Sequence, residues 1–241
     1  MKRREILSSL GLAVGAVPAA KLLAEEMQGF PHDMALDKAF MPVPAPQGGK
    51  PQVLVREIDR RTVAAVFDRL IPGDELGPSA SAAGCVDFLD AQLAGAFGSG
   101  AMLYRSGPKA PGEDELMQKP QFIATPRERY ETGLRALEAY AQRSHQASFA
   151  DLAAEQQDAI LTGMEAGTIE LAPEVNTRAF FELMLSNVRE GYFGDPMYGG
   201  NKDMAGWKMI GFPGARYDYR LYADRTGEDL GLEPVSLIPK D

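Results

Sequence analysis

Apolar residues recur every three or four positions along the middle of this chain, and this spacing constrains the fold more than any other feature. The first such segment begins at Glu57 and carries charged residues between its apolar positions. These apolar positions are Val63, Val66, Phe67, Leu70 and Ile71. One side of an α-helix would collect them, and Pro72 with Gly73 would end that helix. No run of alternating apolar and polar residues indicates a substantial sheet.

The second and third helical segments carry the same spacing. The apolar positions of the second segment are Cys85, Leu89, Leu93 and Phe97. The third has a strong start, because Thr125 can cap a helix, Pro126 suits the first turn and Glu128 can complete a capping box. Its apolar stripe consists of Tyr130, Leu134, Leu137 and Ala141. We expect both stripes to pack in the core.

Two more helices are predicted further along the chain. Ser148 is expected to begin the fourth helix, and its inward-facing residues are Leu152, Ile160, Leu161 and Met164. The fifth helix lies in the segment NTRAFFELMLSNVREG, and its apolar residues are Phe180, Phe181, Met184, Leu185 and Val188. Gly191 fits a glycine cap at the end of this helix. The prediction is a mainly α fold, a compact irregular helical bundle with long loops and an extended N-terminal strap.

Composition limits the size of the domain and the class of partner. The chain has 241 residues, 45% of them hydrophobic, which suits one domain, or at most two, with a buried core. Its formal net charge is -9 and its pI is about 4.9. Nucleic acid is therefore not expected as a partner, because binding it needs a basic surface. An acidic surface is compatible with a basic protein partner.

The residues needed for common catalytic and metal sites are missing. Cys85 is the single cysteine, so it cannot build a zinc or iron–sulfur site. We expect it to be a small buried residue, with an intermolecular disulfide as the alternative. The two histidines, His32 and His145, lie far apart, and no phosphate loop, dinucleotide fingerprint or nucleophile elbow is present. Asp195 and Asp203 fit turn formation better than acid–base catalysis. We predict no catalytic, cofactor-binding or metal-binding residue.

The chain begins with a basic head and an uncharged apolar run, as export signals do. The consecutive Arg3 and Arg4 resemble the twin-arginine signal of bacteria, which carries folded proteins across the inner membrane. An ordinary amphipathic N-terminal helix is the alternative. We expect a signal segment over residues 1–27, a proline- and glycine-rich linker or strap over residues 28–52, and a helical domain over residues 53–241.

Residues 191–214, here called the glycine–aromatic stretch, differ from the rest of the chain. They contain seven glycines, two prolines, the only tryptophan and four other aromatic residues. They contain no histidine, cysteine or serine. Glycines allow backbone turns that other residues resist, and the Asp-Pro and Phe-Pro-Gly sequences are typical of tight turns. We therefore predict a shaped structural element rather than an active site.

The order of residues in this stretch closely resembles the gluconate 2-dehydrogenase subunit 3 family. The resemblance rests on Asp195-Pro196, Tyr198-Gly199-Gly200-Asn201, Trp207 and Ile210-Gly211-Phe212-Pro213-Gly214. The preceding helix, AFFELMLSNVREGYF, and the twin-arginine start are also similar to that family. Its members are the small, or gamma, subunits of bacterial FAD-dependent sugar and alcohol dehydrogenases.

The resemblance implies a role within a complex. The small subunit is not catalytic, and it holds no cofactor. A large subunit of the glucose–methanol–choline oxidoreductase type binds FAD, and a membrane-bound multihaem cytochrome c often receives the electrons. Any iron–sulfur cluster or haem c would also belong to partner subunits. The small subunit would stabilise the folded flavoprotein and carry it by twin-arginine export to the periplasm, where the complex can associate with the inner membrane.

Four residues of the glycine–aromatic stretch are candidates for partner docking. Tyr198, Trp207 and Phe212 would anchor an interface, because buried aromatic residues dominate binding energy. Asn201 would hydrogen-bond the turn backbone. One alternative is that the aromatic residues close the core of this chain. Another is a periplasmic carbohydrate-binding accessory protein, in which Trp207 and Tyr198 stack on sugar rings while Asn201 and Asp203 bind hydroxyl groups.

Overall fold

The computed structural model describes residues 50–101, 103, 124–216 and 219–237. The predicted signal segment with Arg3 and Arg4, nearly all of the 28–52 strap and most of the loop after Ala101 lie outside the described residues.

The described residues form α-helices joined by loops and short 3-10 turns. The helices are α1 Glu57–Leu70, α2 Cys85–Ala94, α3 Pro126–His145, α4 Ala154–Ala166, α5 Thr177–Phe193 and α6 Ala205–Met209. No strand occurs in this part of the chain, and an isolated parallel bridge joins Gly214 to Val235. The prediction of a mainly α fold is confirmed.

Helix α5 lies at the centre of the bundle. It packs against α1, α2, α3, α4 and α6. On one side, Phe180 meets Tyr130 of α3 edge to face, with 5.7 Å between ring centroids. Gly133 of α3 allows this approach, because a Cβ there would lie 2.5 Å from the Phe180 ring. The predicted apolar stripes of α1, α3 and α5 all contribute to one buried core.

A buried carboxylate binds the backbone at the N-terminal end of the first described range. Asp90 of α2 is 5% exposed, and its two oxygens accept the backbone N–H groups of Gln52, Val53 and Leu54 at 2.7, 2.9 and 2.7 Å. A buried carboxylate needs such donors, because an unpaired charge is costly away from water. The chain therefore joins the helical domain at a defined point on α2.

The predicted start of α3 is confirmed, and both α3 and α5 begin at a side-chain cap. Thr125 caps α3 through a complete capping box: its hydroxyl accepts the N–H of Glu128, and the Glu128 carboxylate accepts the N–H of Thr125 at 2.7 Å. Asn176 caps α5, with its Oδ1 accepting the N–H of Ala179 at 3.0 Å. These arrangements satisfy donors that the first turn leaves free.

The fourth helical stretch begins after Ser148 as predicted, but it is divided into two helices. Ser148 precedes a 3-10 turn at Phe149–Asp151, and α4 begins only at Ala154. Two glutamines of α4 explain the break. The Gln156 side chain accepts the N–H of Ala153 at 3.1 Å, and Gln157 donates to the Phe149 carbonyl at 2.9 Å.

The prediction that Gly191 caps α5 is wrong, since the helix continues to Phe193. Glycine stands at this position for packing. A Cβ on Gly191 would lie 2.8 Å from the Phe88 ring of α2. Helix α2 in turn ends earlier than its apolar spacing suggested, at Ala94, where the Arg127 side chain binds the terminal carbonyls. Phe97 lies beyond the helix and packs half-buried against the core.

Candidate functional site

The glycine–aromatic stretch leaves the end of α5 and folds back onto it. After Phe193 the chain forms two 3-10 turns, Pro196–Tyr198 and Lys202–Met204, and then the short helix α6. Asp195 caps the first turn, because its Oδ1 accepts the N–H of Met197 at 2.9 Å. Turns of this kind bring the second half of the stretch back against α5.

Two glycines let this backbone lie directly on the backbone of α5. A Cβ on Gly200 would lie 2.1 Å from the carbonyl oxygen of Gly191. A Cβ on Gly206 would lie equally close, 2.1 Å, to the carbonyl oxygen of Tyr192. No larger residue fits either position without moving main-chain atoms, so the shape of the stretch depends on these glycines.

Asn201 ties the two ends of the stretch together. Its side chain is fully buried, its Nδ2 donates to the Gly194 carbonyl at 2.8 Å, and its Oδ1 accepts the N–H of Gly206 at 2.8 Å. The residue has φ 46°, in the left-handed region that asparagine tolerates better than most residues. Its predicted bonding to turn backbone is thus seen in the structure.

Trp207 is buried in the fold of this chain. It is 4% exposed, and its Nε1–H donates to the Phe193 carbonyl at 2.6 Å. Phe212 meets it edge to face, with 5.3 Å between ring centroids, and remains 44% exposed. The burial of Trp207 favours the core-closing alternative for this ring. Docking stays a prediction for all four candidates.

The large hydrophobic residues that this region exposes are Tyr198, Phe212 and Ile210. Tyr198 is 48% exposed and Ile210 is 56% exposed. Tyr198 lies on one side of an open groove between α2 and the end of α5, which Phe88 and Phe193 also line. Tyr198 was a candidate from the sequence but the groove was not, because the residues of its two walls lie about a hundred positions apart in the chain.

The two aspartates of the stretch have structural roles or lie in solvent. Asp195 is 9% exposed, and besides capping the turn it accepts the Ser236 hydroxyl at 2.7 Å and the N–H of Leu237 at 2.8 Å. It therefore fixes the C-terminal segment onto the stretch. Asp203 is exposed in a 3-10 turn. The arrangement agrees with turn formation, as the sequence predicted.

Cys85 lies beneath the glycine–aromatic stretch at the start of α2. Its side chain is fully buried. Burial raises the pKa of the thiol to about 12, and an N–H donated by Asn201 opposes that shift only partly. The thiol is therefore neutral at physiological pH, and a neutral buried thiol is a poor nucleophile.

The described residues contain neither a candidate metal site nor a candidate membrane span. In the described ranges, histidine, cysteine, aspartate and glutamate residues do not form a group of three or more that could hold a metal ion. Over those ranges, no helix combines the length and the hydropathy needed to cross a bilayer. His145 is exposed at the end of α3, and His32 lies outside the described residues.

Comparison with known proteins agrees with the resemblance seen in the glycine–aromatic stretch. The family model for gluconate 2-dehydrogenase subunit 3 matches residues 57–214, which is more than half of the chain. The match runs from the first residue of α1 to the last glycine of the stretch. No curated protein and no solved structure matches the chain. The chain belongs to the gluconate 2-dehydrogenase subunit 3 family.

Proposed function

We propose that this chain is the non-catalytic small subunit of a periplasmic FAD-dependent dehydrogenase complex that oxidises a sugar or an alcohol. The match of residues 57–214 to a family of dehydrogenase subunits carries this proposal. Its catalytic partner would be a flavoprotein of the glucose–methanol–choline type. A multihaem cytochrome c would accept the electrons at the inner membrane.

The construction of the glycine–aromatic stretch supports a structural role. The side chains of Asp195, Asn201 and Trp207 all bind main-chain groups of this chain. Polar groups engaged in this way are not available to activate a substrate. The stretch instead presents the exposed rings of Tyr198 and Phe212, and exposed aromatic residues are typical anchors of protein interfaces.

The export part of the proposal rests on Arg3 and Arg4. A flavoprotein acquires FAD only as it folds, so its export must follow folding. A twin-arginine signal on a tightly bound small subunit would carry the folded flavoprotein across the membrane with it. The charge-conserving double change Arg3→Lys and Arg4→Lys tests this step, because it removes the motif and retains the basic head.

The expected result is accumulation of both proteins in the cytoplasm, measured by fractionation and by dehydrogenase activity in the periplasm. An exported protein that uses another route serves as the control and should be unaffected. Unchanged export of the flavoprotein with the double variant, or with this chain deleted, would remove the carrier role.

The alternative of a periplasmic carbohydrate-binding accessory protein keeps one supporting observation, the exposed Tyr198 ring beside the groove. Trp207, which that alternative also used, does not present a free ring face, since it is 4% exposed. Isothermal titration of the purified chain with gluconate, glucose and sugar alcohols separates the two functions. Binding at millimolar concentration or tighter would favour the carbohydrate-binding function.

A further inference from the structure

We infer that the groove between α2 and the end of α5 receives a segment of the flavoprotein that carries an apolar side chain next to a carboxylate. The inference rests on the proposed function and adds which surface docks and which chemistry it selects. Five residues carry it: Phe88, Arg189, Glu190, Phe193 and Tyr198.

The apolar part of the groove is held in place by contacts within this chain. Phe88 is 5% exposed and packs against Gly191. Phe193 meets Tyr192 edge to face, with 5.2 Å between ring centroids, and its carbonyl accepts the Trp207 N–H. The Tyr198 ring stands at the edge, 48% exposed. A preformed apolar surface binds with little loss of conformational freedom, which suits an inserted side chain.

Two charged residues, Arg189 and Glu190, line the groove, and only the Glu190 side chain is hydrogen-bonded to neighbouring side chains. Both oxygens of the Glu190 carboxylate are engaged, one by the Ser186 hydroxyl at 2.9 Å and the other by the Asn187 amide at 3.1 Å. Arg189 is exposed, and within the described residues it forms no ion pair. The groove therefore offers a guanidinium group, on a chain whose overall charge is -9.

The Arg189 guanidinium group, which has no ion-pair partner among the described residues, determines the chemistry of the occupant that we infer. An arginine beside apolar rings favours a carboxylate, which it can bind through two parallel hydrogen bonds. The carboxylate would come from an acidic side chain or a chain terminus, adjacent to the apolar side chain that fills the groove. Because the chain belongs to a family of complex subunits, the flavoprotein is the occupant we assign.

The test uses the full-length chain and the flavoprotein proposed as its partner. A photo-crosslinking phenylalanine analogue at position 198 should join the flavoprotein at a segment with an acidic group beside an apolar residue. Arg189→Glu and Tyr198→Ala should each weaken the complex by about 30-fold or more, as expected for arginine and tyrosine residues that contribute most of the binding energy of an interface. Reversing the crosslinked acidic residue to lysine should restore binding of Arg189→Glu.

Matched controls lie elsewhere on the surface. Arg135→Glu reverses an exposed charge on α3, and Tyr219→Ala removes a ring that is 41% exposed. Both controls should bind the flavoprotein like the unmodified chain. Arg189→Gln removes the charge without reversing it, and circular dichroism checks that every variant remains helical.

The outcomes are distinguishable. If the unmodified chain binds the flavoprotein and the groove variants bind equally well, the groove inference fails and the proposed function stands. If the unmodified chain does not bind the flavoprotein, both fail. A sugar that binds the unmodified chain and not Tyr198→Ala would overturn the inference in favour of a carbohydrate site.

Discussion

Asn201 is the residue whose replacement should most damage the glycine–aromatic stretch. Its side chain is fully buried and spans from the Gly194 carbonyl to the Gly206 N–H, each at 2.8 Å. Changing Asn201 to alanine removes both bonds and leaves two main-chain groups without these partners. It also places alanine at φ 46°, where an L-residue with a plain Cβ is strained.

The expected loss of stability follows from the two lost hydrogen bonds and the added backbone strain. A buried polar group left unpaired costs about 1–3 kcal/mol, and the left-handed backbone adds about 1 kcal/mol for alanine. Since Gly194 is only partly buried, water can replace some of its lost bond. We expect Asn201→Ala to lower the free energy of unfolding by about 3–5 kcal/mol. In a domain of this size that corresponds to a fall in Tm of about 6–20 °C.

Urea unfolding measures this directly. Trp207 is the only tryptophan and is hydrogen-bonded to the same turn of α5, so its fluorescence reports the stretch while circular dichroism reports the helices. Asn201→Gly is the matched control, because glycine accepts the positive φ and loses only the hydrogen bonds. It should be less destabilised than Asn201→Ala by about 1 kcal/mol. A loss below about 1 kcal/mol for Asn201→Ala would refute the reasoning.

Two further predictions concern the same region. Gly200→Ala should cost about 1–3 kcal/mol or more in urea unfolding, because its Cβ meets a main-chain oxygen at 2.1 Å, whereas Gly95→Ala, with its nearest atom at 3.5 Å, should be near neutral. If Gly200→Ala and Gly95→Ala are equally stable, the close approach of Gly200 to the Gly191 carbonyl is contradicted. The Cys85 thiol should resist thiol reagents at pH 8 until the protein unfolds. Because its folded pKa is raised from 9.0 to about 12, the unfolded state ionises first, so stability should fall above pH 9 by up to about 1.4 kcal/mol per unit. The Cys85→Ala variant should not show this loss of stability above pH 9. If the variant and the unmodified chain lose stability equally as the pH rises, the raised pKa of Cys85 is contradicted.

The sequence predicted those features of the fold that depend on residues close together in the chain. The capping box at Thr125 and the apolar stripe of α3 depend on neighbours within one or two turns, and both were predicted. The end of α5 was not, because Gly191 is placed by contact with Phe88 of another helix. The break before Ala154 likewise depends on where two glutamine side chains reach.

The candidate site, too, was predicted from the sequence only in part. The glycines and aromatic residues identified the stretch and its family, because their order is distinctive. Which rings face solvent depends on how α6 folds back onto α5, and that contact buries Trp207 while leaving Tyr198 and Phe212 exposed. No sequence pattern predicts the groove, because Phe88 and Tyr198 line the same surface only in the folded chain.

The most direct test of the proposed role is purification of the full-length chain after co-expression with the flavoprotein proposed as its partner. An affinity tag on this chain should recover both polypeptides from the periplasm in a single complex, with flavin absorbance in a fixed ratio to protein. Recovery of this chain alone and colourless, while the flavoprotein is exported and active without it, would contradict the assignment as a dehydrogenase subunit.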